Sequence, residues 1–178
     1  MKKALFILAF VFFLAWNVSA QQAHRHTVSF GSSGFAGIAI NYEYMLFPNF
    51  SLVIDAGTSV SIFLVNYVYN AAVHARWFPV SDSAGKTQGF FVSGGLGFGG
   101  IVRDLYDSGY ELDGFLFSIG MGHKLGINKS RGFVFTPILD FNVVLGNKVL
   151  IHYEDDKRES KFGVGYNPNF KLLIGWAF

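Results

Sequence analysis

The sequence predicts an all-β protein, an eight-stranded antiparallel transmembrane β-barrel of up-and-down order, and three observations carry that expectation. Hydrophobicity alternates residue by residue along most of the chain, the period of a strand and not of a helix. One of the two faces so defined is bulky and aromatic, whereas the other is mostly Gly, Ala, Ser and Asn with isolated charges. The chain is 51% hydrophobic and 18% aromatic, yet beyond its first residues no segment has the length of a transmembrane helix.

The front of the chain reads as a secretory signal peptide over 1–20. Met1-Lys2-Lys3 supplies the basic start, an uncharged apolar run extends from Ala4 to Trp16, and Val18-Ser19-Ala20 is a small-x-small cleavage site. The run is shorter than the roughly 18–20 apolar residues of a membrane span. Cleavage after Ala20 leaves 21–178 as one barrel domain. It also removes Lys2 and Lys3, reducing the 14 basic residues to 12 and matching the 12 acidic ones. A neutral mature chain offers nothing to nucleic acid. The absence of cysteine excludes a disulfide framework and any thiolate metal or redox site.

The strands follow in order. A short first strand over 25–31 sets His26, Val28 and Phe30 against Thr27 and Ser29, and turns through Gly31-Ser32-Ser33-Gly34. The second sets Ile38, Ile40, Tyr42 and Tyr44 against Asn41 and Glu43, ending at Phe47-Pro48-Asn49. The third opposes Leu52, Ile54 and Val60 to Ser51, Asp55 and Ser59, and the fourth opposes Tyr69, Val73 and Trp77 to Asn70, His74 and Arg76. In the fifth, Phe90, Val92, Leu96 and Phe98 face away from Ser93, Gly95, Gly97 and Gly99. In the sixth, Phe115, Phe117, Ile119, Met121 and Leu125 oppose Ser118 and Lys124. The seventh sets Phe133, Phe135, Leu139 and Phe141 against Thr136, Asp140 and Asn142. The last, over 162–178, alternates Phe170, Leu172, Ile174, Trp176 and Phe178 with Lys171, Leu173, Gly175 and Ala177.

Alternation alone does not separate a membrane barrel from a soluble sandwich, because each has one apolar face. The second face does. A solvated sheet face is crowded with long polar side chains; small residues instead suit the cramped interior of a narrow barrel. The aromatic face then points outward, where only lipid tolerates so large an apolar surface. With a periplasmic N-terminus, the connections at 47–49, 79–88 and 128–131 are periplasmic and those at 31–34, 64–68, 104–113 and 147–161 are external. Tyr42, Tyr44, Trp77, Trp176 and Phe178 then all fall near the periplasmic ends of their strands, where an aromatic girdle sits.

Inward parity collects Glu43, Asp55 and Asp140 against Arg76, Lys124 and Lys171, with His74 beside them. Equal numbers of opposite charges are what a closed interior requires, since a buried charge is tolerable only when paired. The expectation is an internal salt-bridge network filling the lumen.

The signal peptide, Asn41-Tyr42-Glu43-Tyr44 and the alternation closing on Phe178 together resemble the small eight-stranded outer-membrane barrels of the OmpA and OmpX type, and more particularly the small outer-membrane β-barrel proteins of Bacteroidetes-like bacteria. The resemblance implies location in the outer membrane, contact with its lipid, and a last strand whose Phe170, Leu172, Ile174, Trp176 and Phe178 are read by the barrel-assembly machinery. No peptidoglycan-binding domain is expected after Phe178.

The functional expectation is a monomeric structural or surface-interaction protein with no cofactor and no enzymatic activity, binding through 104–113 and 147–161 if it binds anything. The alternatives are a lipid A palmitoyltransferase-like or deacylase-like barrel enzyme and a small-solute channel. For an enzyme, His123 is lipid-facing but without a serine beside it, and His152 with Glu154, Asp155 and Ser160 is the remaining candidate set. His24 and His26 lack the further ligands of a zinc site. The glycine run 94–100 is followed by no helix and no Lys-Ser/Thr, so it is read as strand and not as a phosphate loop.

Overall fold

The computed structural model describes residues 25–61, 66–79, 89–103, 108–128, 132–152 and 158–178. The signal-peptide segment 1–20, His24, and the suggested partners Glu154 and Asp155 lie outside the described residues. Eight strands form the molecule: β1 (His26–Ser33), β2 (Gly37–Phe47), β3 (Phe50–Ser61), β4 (Asn66–Trp77), β5 (Gly89–Arg103), β6 (Ser108–Asn128), β7 (Phe133–His152) and β8 (Arg158–Ala177). Each pairs antiparallel with the next, and β8 returns to β1, so the sheet is a closed barrel in simple meander order.

Closure is made by a register running from Thr27↔Ala177 to Ser33↔Lys171. Below it, His26 and Phe178 exchange both backbone hydrogen bonds, at 3.0 and 2.8 Å, and their rings stack at 5.6 Å. Above it, the Gly34 amide donates to the Phe170 carbonyl at 2.8 Å. Gly34 has φ 61°, a left-handed conformation that a side chain disfavours and that turns the chain from β1 into β2. The rim carrying His26, Trp77 and Phe178 is called lower here, and the rim carrying Ser33 upper.

The strands are unequal. β1 to β4 have 8 to 12 residues, whereas β6, β7 and β8 have 20 or 21 and continue above the others. This corrects the loop boundaries expected from sequence. Residues 108–113 are not loop but the start of β6, held by Leu112↔Ile101 and Leu112↔Lys148. Within 147–161 the strand character that the sequence Val149-Leu150-Ile151-His152 itself carries is borne out, the β7–β8 ladder reaching Ile151↔Arg158 as an extended hairpin. The connection placed at 64–68 is shorter too, because β4 begins at Asn66. Polar residues at these strand ends imitate loop composition, while backbone pairing makes them strand, to both neighbours at the starts of β4 and β6 and to β7 alone over 158–161 of β8.

Outward positions are the bulky ones. Phe98, Ile119 and Phe162 are 64%, 66% and 72% exposed. The inward face, expected to be small and polar, also holds two apolar clusters. One joins Met45, Phe78 and Phe91 from the lower-rim ends to Ala39, Ile138 and Leu173. The other joins Val68, Ala72, Ile101, Leu112, Leu116 and Val144, drawn mainly from the upper halves of β4 to β7. Gly165 of β8 makes room for this second cluster, since a Cβ there would stand 2.7 Å from both Ile101 Cδ1 and Leu112 Cδ2.

Candidate functional site

The inward charges come from six strands: Glu43 on β2, Asp55 on β3, His74 and Arg76 on β4, Lys124 on β6, Asp140 on β7 and Lys171 on β8. Each is at an inward parity position and each is at least 95% buried. The barrel's shear, not sequence proximity, brings them into one network.

Glu43 is its lower centre. Its Oε2 receives Lys124 Nζ at 2.7 Å and Arg76 Nη1 at 3.4 Å, while its Oε1 accepts the Ser51 hydroxyl at 2.7 Å. Lys124 also donates to Thr27 Oγ1 at 2.9 Å. Arg76 reaches onward, donating Nη2 to Asn41 Oδ1 at 3.1 Å and laying its guanidinium 4.6 Å from the centre of the Phe91 ring.

Asp55 is the upper centre. Asn41 Nδ2 donates to its Oδ1, and Asn70 Nδ2 and Lys171 Nζ donate to its Oδ2 at 2.7 and 2.6 Å. Lys171 also contacts Asp140 Oδ2 at 3.0 Å. Asn41 therefore couples the two centres through Arg76 on one side and Asp55 on the other. His74 Nε2 stands 3.8 Å from Asp55 Oδ2, too far for a hydrogen bond, and makes none within the described protein.

Buried ions are tolerated when opposite charges and hydrogen bonds replace lost water. Here three carboxylates face three cationic side chains, and Glu43 and Asp55 each accept at least three contacts. The lower apolar cluster adjoins this network through Phe91, whose ring is 5.4 Å from that of Phe78. The upper cluster lies between it and the upper rim on the β4 to β7 side, while buried polar residues such as Ser33 and Asn169 line the side of β1 and β8.

Sequence reasoning reached the seven ionisable residues through parity alone. It did not single out Asn41, Ser51, Thr27 and Asn70, which are the bridges. Their inward parity was legible; their contacts depend on inter-strand register. Phe78 was missed for a different reason, since it lies beyond the end of β4 and folds back under the barrel, its amide donating to the Asn49 carbonyl at 2.9 Å.

The other candidates are placed as follows. Phe170, Leu172, Ile174 and Trp176 project from the outer face along β8, and Phe178, just after it, is exposed as well. His123 is exposed on β6 with Phe90 as its cross-strand neighbour. His152 closes β7 opposite Ser108, whereas Ser160 pairs with Val149. The glycine run lies within β5. Among the described residues, no group of three or more His, Asp or Glu gathers as a metal site would require.

No protein-family model matches the chain, and no curated protein shows significant similarity to it.

Proposed function

We propose that this chain is an integral outer-membrane barrel with a filled lumen, serving a structural or surface-interaction role through the upper extension of β6, β7 and β8. The observation that carries the reading is the inversion of its two faces: paired charges inside, large apolar side chains outside. A soluble protein with that exterior would expose an apolar surface far beyond the few hundred Å² usual for a monomer.

The spacing of outward aromatics supports a bilayer. Tyr67 and Trp77 on β4 are ten residues apart, and so are Tyr166 and Trp176 on β8. At about 3.3 Å per residue and the usual strand tilt, ten residues rise by about 25 Å, the height of an outer-membrane apolar band between its aromatic girdles. All four rings are exposed. The resemblance to small outer-membrane barrels points the same way.

A structural role is favoured over transport because the charges are consumed in pairs and apolar clusters occupy the lumen on both sides of Asp55. Migration on an unheated gel tests the membrane reading. The folded protein in detergent is expected to run faster than the boiled sample, and identical mobility under both conditions would speak for a soluble sheet protein.

A further inference from the structure

On the outer wall, near the upper tyrosines, three residues stand side by side across three strands: Tyr69 on β4, Gly100 on β5 and Asp113 on β6, in register Tyr69↔Gly100↔Asp113. The Tyr69 hydroxyl donates to Asp113 Oδ1 directly over Gly100. A Cβ on Gly100 would collide with both side chains, so glycine is what lets this bridge close. The next row down is Ala71↔Phe98↔Phe115, in which Ala71 is the one small residue. Together they leave a depression of about 350 Å³ in the wall, lined by Tyr69, Ala71, Phe98, Gly99, Asp113 and Gly114.

Asp113 is exposed, and no cationic side chain among the described residues forms a salt bridge with it. Its hydroxyl contact engages one oxygen and leaves the carboxylate charge without a cationic partner among the described residues. A charge on the outward face at the level of the tyrosine girdle sits where lipid headgroups lie, with the depression opening below it toward the acyl chains.

We propose that this depression holds one acyl chain of a lipid whose headgroup carries a primary amine, the ammonium donating to Asp113. The inference rests on the membrane reading above. The apolar floor is continuous with the exposed band formed by Phe98 and Phe115, so a hydrocarbon chain fills it without leaving a polar group unpaired. Among the described residues Asp113 is the one charged side chain lining the depression, and Glu111, two residues before it on β6, carries the same sign, so the site selects an ammonium and disfavours an anionic headgroup. Tyr69 positions the carboxylate, and its ring forms one side of the groove.

The test uses the folded barrel in nanodiscs containing equal amounts of phosphatidylethanolamine and phosphatidylglycerol with the same acyl chains, released into native mass spectrometry. The wild type is expected to retain the amine lipid over the anionic one by about fivefold, as a partly exposed charge-assisted contact provides. Asp113→Asn removes the preference while lipid remains bound, and Ala71→Leu, which fills the floor, lowers retention of both lipids. Equal retention of the two lipids by the wild type, or an unchanged preference in Asp113→Asn, overturns the inference while leaving the membrane reading intact. A chain that does not enter nanodiscs at all overturns that reading and this inference with it.

Discussion

Lys171 Nζ lies between two carboxylates from different strands, 2.6 Å from Asp55 Oδ2 and 3.0 Å from Asp140 Oδ2. Its ammonium compensates both. Replacing it by an isosteric apolar side chain leaves Asp140 without its salt-bridge partner and turns two carboxylates toward each other. Lys171→Met is expected to lower unfolding stability by about 3–5 kcal/mol, the range for breaking a buried ion pair from one side. Adding Asp140→Asn restores part of that loss. Urea titration of the barrel in lipid vesicles reads both; a Lys171→Met protein as stable as the wild type is inconsistent with a charged lumen network.

How far the sequence discloses this arrangement depends on the feature. The eight strands and the side on which each charge falls are legible because alternation has a period of two and the charges sit among small residues, as around Glu43 and Lys124. The apolar clusters are hidden because their members break that alternation: Phe91 follows Phe90, Leu116 lies between Phe115 and Phe117, and Leu173 lies between Leu172 and Ile174. Parity with the flanking residues assigns the inward member, as it does for Leu173 beside Lys171, but a bulky apolar side chain there gives no sign of which other strands it packs against. The pairing of Glu43 with Lys124, 81 positions apart, depends on register and shear, which no local pattern encodes.

The lumen is expected to be electrically silent. Purified wild-type protein in planar bilayers should give no steady unit conductance. Phe91→Ala alone should remain closed, because Ile101 and Leu112 still pack against Gly165 near the upper rim. Opening requires removing both obstacles, as in Phe91→Ala with Ile101→Ala and Leu112→Ala. Steady channels from the wild type contradict the filled lumen.

Gly165 is the contact through which β8 meets the upper cluster. Gly165→Leu forces side-chain atoms into Ile101 and Leu112, an overpacking that costs about 1–3 kcal/mol. A compensating Ile101→Ala in the same chain should recover stability. The check is the denaturation midpoint of the single and double variants, with no recovery arguing that the glycine acts through backbone conformation instead.

The β7–β8 extension carries the surface-interaction part of the proposal. If it projects outward from the cell, trypsin added to intact cells should cleave near Lys157 or Arg158 and leave the barrel strands protected. Complete protection of this hairpin on intact cells, with cleavage only after the envelope is opened, indicates the reverse orientation.

The central claim is that the apolar exterior faces lipid, and the two tryptophans of 21–178 report on it directly. Trp77 and Trp176 are both exposed on the outer face close to the lower rim, 49% and 45% accessible. Residues 21–178 are refolded into vesicles whose lipids carry bromine at graded depths, and tryptophan fluorescence is recorded. Quenching that is strongest for bromine near the headgroups and weak for bromine at the bilayer centre is the predicted result; fluorescence unaffected by bromine at any depth would contradict a membrane-spanning barrel.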